Sequence, residues 1–172
     1  GAVFSSIDRQ GRYAYANQPL ILAWNLARLA EALLPLFDAD ETRAIDLANG
    51  RLEAIAGQYR AEWLAVMRGK LGLAGEDPGD LALVEGFLVA LQGSDFTLGF
   101  RRLADAVTDE GKLRGMFADT AALERWLPQW RARRAADAAA RIRAVSPIYI
   151  PRNEKVEAAL AAAGEGDLAP FE

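Results

Sequence analysis

Histidine and cysteine, two side chains that carry much of protein chemistry, are absent from this chain. Zinc sites of the usual kind, haem ligation through those side chains, and Ser–His or Cys–His nucleophile pairs are thereby excluded. Catalysis would have to rest on carboxylates, Lys, Arg, Ser, Thr or Tyr. Asp38-Ala39-Asp40 has the opening of a calcium loop, but Arg43 stands where an EF-hand needs glycine and Asn49 where it needs glutamate. A helix-capping turn is the better reading. Arg68-Gly69-Lys70 shares a Gly-Lys step with phosphate loops, yet the earlier glycine is missing and the stretch closes a helix instead of following a strand. Asp105 and Asp109 lie one helical turn apart and could hold a metal or exchange protons, but no third group converges on them in sequence, and they read as a solvated face. Arg125, Arg131, Arg133, Arg134, Arg141 and Arg143, with Trp126 and Trp130, have the makings of a basic, aromatic strip for nucleic acid. The net charge of -4 favours an amphipathic helix instead, its tryptophans buried and its arginines solvated or paired with Glu124 and Asp137.

A second set of polar residues clusters near the two ends. Arg12, Asn17, Asn25 and Arg28 fall early, among Gly11, Gln18, Pro19 and Trp24, while Arg152 and Asn153 fall late. They would sit beside a nucleotide or a catalytic loop, or else organise the fold. In the second reading Asn17 and Asn153 cap helices, and Asn25 and Arg28 bond backbone carbonyls of neighbouring segments. The organising reading is preferred, because buried polar groups must find partners and such networks fix a fold. None of these residues is assigned a catalytic, cofactor-binding or metal-ligating role.

Gly11-Arg12-Tyr13, Asn17-Gln18-Pro19, Trp24-Asn25-Leu26 and Arg28-Leu29-Ala30 together resemble the selenoprotein O family, the YdiU-type protein adenylyltransferases. Pro151-Arg152-Asn153, with Val156-Glu157 and Gly166-Asp167 behind it, is similar to that family's late motif. Both occur in the family's order, so the resemblance covers nearly the whole chain. It implies a kinase-like (pseudokinase) fold and, in the intact protein, ATP and magnesium bound in an inverted orientation, with AMP transferred to Ser, Thr or Tyr hydroxyls of protein substrates. The family's glycine-rich nucleotide contacts, ion-paired lysine, Asn-Thr-Asp-Asn-like segment and Asp-Tyr-Gly metal motif precede its Gly-Arg-Tyr motif and have no counterpart here; its late cysteines are absent too. The resemblance therefore implies a C-terminal fragment of a longer nucleotidyltransferase, inactive alone, comprising the lower part of the C-lobe and a helical extension. Its expected partner is the missing N-terminal part, with homodimerisation of the fragment through exposed apolar surface as a further expectation. A free-standing helical interaction module is the alternative.

The elements that must position these residues read as all-α. Residues 1–16 form a loop that enters a hub helix over 17–37, and residues 40–172 supply the surrounding helices of a single unit. The hub opens at an Asn17 cap with Gln18 and Pro19, and its apolar residues (Leu20, Trp24, Leu29, Leu33, Leu34, Phe37) cover more than one face, as in a helix enclosed by others. Three- and four-residue steps predict a helix from Glu41 to Leu71, with Asp40 as cap and a bend credible at Gly50 or Gly57. Further helices are predicted over 80–92, from a Ser94-Asp95 or Thr97 cap, over a short segment at 112–117, and over 120–145 with a kink or split at Pro128. A last helix begins at Asn153 and closes at Gly164. At 52% hydrophobic the chain is globular in composition, and no apolar run is read as approaching the roughly 20 residues that cross a bilayer. A cytoplasmic protein binding neither nucleic acid nor membrane is the expectation.

Overall fold

The computed structural model describes residues 8–171. Among them the regular structure is helical, apart from one isolated antiparallel bridge between Leu73 and Arg134. The helices are α1 (Gln18–Phe37), α2 (Glu41–Leu71), α3 (Asp80–Ala90), α4 (Phe96–Ala106), α5 (Gly111–Arg114), α6 (Ala121–Arg133), α7 (Ala138–Val145) and α8 (Asn153–Gly164), with short 3-10 turns at Tyr15–Asn17 and Ala169–Phe171. The chain divides into two compact units, one spanning Trp63–Val156 and the other holding the residues up to Glu62 and those from Glu157 on.

The Trp63–Val156 unit holds a continuous apolar core. Leu71, Phe87, Phe100, Leu103, Leu113, Leu123, Leu127, Trp130 and Ile142 are fully buried, and Met67, Leu83, Val84 and Trp126 complete it. An aromatic chain crosses three helices: Phe96 meets Phe100 at 5.0 Å, Phe100 meets Phe87 edge-on at 5.1 Å, Phe87 meets Trp126 at 4.6 Å, and Trp126 stacks on Trp130 at 5.7 Å. Edge-to-face and offset pairs at these separations add to the burial term. Each indole N–H donates to a backbone carbonyl, Trp126 to Leu83 at 2.7 Å and Trp130 to Leu71 at 2.8 Å, so neither polar edge is left unpaired.

Local signals set several boundaries. The Asp40 carboxylate accepts the Arg43 amide at the start of α2, and Asp95 accepts the Leu98 amide at the start of α4. α2 ends where Gly72 adopts φ +68, with Leu73 N–H bonded to Arg68 O and Gly72 N–H to Gly69 O, the paired bonds of a Schellman cap. A Cβ at Gly72 would also lie 2.8 Å from the Cβ of Ala138, so the position needs glycine on two counts. The same bond pair recurs after α8 with Gly166 in the left-handed role, which the sequence reading had given to Gly164.

Four expectations are corrected. α6 runs through Pro128 without ending, and the predicted 120–145 helix breaks instead at Arg134, where ψ is 146. The cause is tertiary: Leu73 bridges Arg134 and the Ala135 N–H donates to Gly72 O at 3.0 Å, drawing these residues out of helix. Second, Asn17 makes no side-chain cap; its Nδ2 donates back to Gly11 O at 2.8 Å. Third, the 17–37 helix is not enclosed within this chain. No residue of α1 is buried, and Leu20 and Leu36 are 73% and 79% exposed. α1 is also long and apolar enough to cross a bilayer by length and composition, with 20 residues and a mean hydropathy of 1.5 over its best window. The expectation that no run approaches this length does not hold for α1: Asn25, Arg28 and Glu31 interrupt it, but its apolar majority outweighs them.

α2 is continuous for 31 residues, about 46 Å at 1.5 Å per residue, with Gly50 and Gly57 in its interior. A Cβ at either would meet nothing within 4 Å. Replacing each with alanine is therefore expected to stabilise the chain by about 1 kcal/mol per site, through helix propensity and a less flexible unfolded state. Urea midpoints for Gly50→Ala and Gly57→Ala check this.

Candidate functional site

The residues singled out near the start gather at the approach to α1. Gly11 sits at φ +67, its amide bonded to Asp8 O at 3.1 Å. The Asp8 carboxylate accepts the backbone amides of Arg12 (2.8 Å) and Tyr13 (2.7 Å), and Asn17 closes the loop onto Gly11 O. Gln18 and Pro19 then open the helix, where the proline's missing N–H costs nothing. The Arg12 guanidinium lies 4.7 Å from the centroid of the Trp24 indole and the Arg28 guanidinium 5.6 Å from it, with Arg28 also paired to Glu31. Asn25 and Arg28 are exposed, so neither is the buried organiser expected of it.

The late motif meets α4. Arg152 holds the Asp95 carboxylate at 2.7 Å while Asp95 caps α4, tying the segment before α8 to the α4 N-terminus. Burial would raise the Asp95 carboxyl, but the Leu98 amide and the Arg152 charge hold it below the usual carboxylate range. Asn153 is the first residue of α8.

The strongest charge cluster is one that no sequence pattern indicated. Asp80 has no exposed surface. Its Oδ1 accepts Arg133 Nε at 2.8 Å, and its Oδ2 accepts Arg68 Nε at 2.7 Å, an Arg133 guanidinium N–H at 3.0 Å and the Asp77 amide at 3.0 Å. Arg133 also donates to Ala74 O at 3.0 Å, and Arg68 pairs with Glu76 at 3.1 Å. Burial pushes the Asp80 carboxyl up, but the two guanidiniums and the amide outweigh it and leave it below its ordinary value. The ends of α2 and α6 and the start of α3 are thus pinned to one carboxylate. Arg68 of the Arg68-Gly69-Lys70 step is spent here, and Lys70 reaches Val145 O at 3.4 Å, its ammonium pushed down by burial.

Most of the arginine strip is spent on structural bonds. Arg131 forks onto Glu110 with two bonds of 2.6 Å, Arg134 donates to Val107 O at 3.1 Å, Arg141 pairs with Asp137 at 2.7 Å and Arg143 with Asp105 at 3.2 Å. Glu124 pairs with Arg114 at 2.6 Å, a partner from outside the strip. Asp105 is taken by Arg102 and Arg143, and Asp109 accepts the Gly111 amide, so the two acids serve separate structural bonds. Among the described residues no group of three or more acids gathers within reach of one metal ion.

Comparison with known proteins gives a consistent answer. The family model described as "Protein adenylyltransferase SelO" matches residues 3–172. A protein nucleotidyltransferase YdiU from Cereibacter sphaeroides is 66% identical over the whole of this chain, which covers 36% of that relative's length. Proteins of the same name from Rhizobium etli and Rhizobium leguminosarum are each 50% identical over 99% of the chain, again over 36% of their length. The chain thus spans about a third of the curated relatives it matches.

Removing the Asp80 charge leaves two arginines facing a buried amide, and breaking a buried pair of this kind costs about 3–5 kcal/mol. Asp80→Asn is expected to destabilise the chain by that order in urea unfolding at pH 7. Because its folded pKa is depressed, the Asp80 contribution is full above the unfolded value of about 3.9 and is lost as pH falls through the folded value. Stability measured from pH 7 down to pH 2 should fall on the acid side, and less steeply in Asp80→Asn than in the parent sequence.

Proposed function

The chain belongs to the SelO family of protein adenylyltransferases, and from that membership we propose that it is the supporting, all-helical C-terminal portion of such an enzyme. The whole enzyme would transfer AMP from ATP to protein hydroxyls, with ATP and magnesium bound by the part outside these residues. This portion would carry no catalytic, nucleotide-binding or metal-binding side chain of its own. One observation carries the reading. The element richest in family motif, α1, is apolar around its circumference yet has no buried residue. Exposed apolar area of this extent on a helix marks an interaction surface. The remaining two thirds of a protein of the relatives' length is the natural cover, with α1 as the central helix of a kinase-like C-lobe holding the catalytic and metal-binding loops from below.

Burial in protein suits α1 better than a bilayer. Arg28 and Glu31 sit near the middle of its length, where a membrane would place the pair at the hydrocarbon centre. Between protein surfaces the same pair stays bonded at the edge of an apolar contact. A cytoplasmic location is part of the same proposal.

Incubation of the purified chain and of the full-length parent with labelled ATP, magnesium and a protein substrate tests the assignment. The parent should label its substrate, whereas the chain alone should transfer no AMP and show no saturable Mg-ATP binding by calorimetry. AMP transfer or saturable Mg-ATP binding by the chain alone would contradict it, and so would an inactive, well-folded parent.

A further inference from the structure

We propose that Arg12, Trp24 and Arg28 form a receiving site for a carboxylate carried by the part of the parent protein outside these 172 residues; the inference rests on the reading of α1 as a covered helix. Both guanidiniums lie within 6 Å of one indole centroid, at 4.7 Å and 5.6 Å. Stacking uses the face of a guanidinium and leaves its N–H fork free to meet an acid. Among the described residues the local acids leave one of these two guanidiniums without an ion-pair partner. Asp8 spends both carboxylate oxygens on the backbone amides of Arg12 and Tyr13, and Glu31 serves Arg28 alone. Arg12 has no acidic partner among the described residues.

A carboxylate placed against the unpaired Arg12 fork gains charge-assisted hydrogen bonds. The setting selects the anion's carrier. Trp24 is 50% exposed and Leu20, one turn before it on the same face, is exposed too, so the ligand surface must be apolar around its charge. A protein segment with an Asp or Glu among apolar side chains meets that description; a free phosphate does not. The relatives' length supplies such a segment from within the same polypeptide. The site would fix the register of α1 against its cover, since an apolar contact alone is non-directional.

Zero-length cross-linking of the full-length parent tests this. Arg12→Lys and Arg28→Lys each install an amine that a carbodiimide couples to a carboxylate in contact. The expected result is an amide bond from either position to an Asp or Glu outside these 172 residues, identified by peptide mass spectrometry and absent in Arg12→Gln and Arg28→Gln. Coupling only to Asp8 or Glu31, coupling to a second molecule, or no coupling overturns the proposal. A photo-cross-linking residue in place of Leu36, 79% exposed at the far end of α1, separates the two levels of inference. If it captures the rest of the parent while positions 12 and 28 do not, the carboxylate site fails and the covered helix stands. If it too captures nothing, both fail.

Discussion

A carboxylate with no exposed surface has to be compensated on every side, and much of the Trp63–Val156 unit is arranged around that requirement at Asp80. Arg68 arrives from the last turn of α2 and Arg133 from the last residue of α6, while the Asp77 amide comes from the loop between. Meeting there fixes where α2 and α6 end, and the neighbouring contacts follow. Gly72 turns left-handed against Ala138, Leu73 bridges Arg134, and Ala135 bonds Gly72 O, so α6 and α7 become two helices instead of one. The aromatic chain from Phe96 to Trp130 fills the space these ends enclose, and both indole N–H groups are spent on backbone carbonyls.

α1 poses the opposite problem. It has the composition of a core helix and none of the burial. Its Arg28–Glu31 pair and its Arg12–Trp24 stack lie on the surface of this chain, where ion pairs and stacks are worth little. Under a protein cover the same contacts would lose their screening by water, and removing one partner would cost more. Family motif is therefore densest where this chain is least self-sufficient, as expected of a surface shaped to meet the rest of a longer protein.

The reach of the sequence can be judged element by element. The bounds of α2 were legible because its apolar steps, its Asp40 cap and the glycine-rich stretch after Leu71 agree with one another. Asp95 was legible as a cap because its side chain acts three residues away. Asp80 was not, since its Arg133 partner lies 53 residues on and an acid at a helix start ordinarily signals only the helix dipole. Pro128 carried a strong local signal that tertiary structure overrode, placing the break six residues later at Arg134. The motif residues could be read as a family signature from their order, but not as a site. Whether Asn17 caps, or Arg28 is buried, depends on neighbours that local sequence does not specify.

Amide hydrogen exchange across α1, compared between the chain alone and the full-length parent, tests most directly the claim that this helix is an interior element of a larger enzyme. The account predicts that amides of Leu20 to Leu36 exchange quickly in the isolated chain and become among the slowest in the parent, while those of α3, α4 and α6 change little. Equal exchange of α1 in both proteins would contradict it.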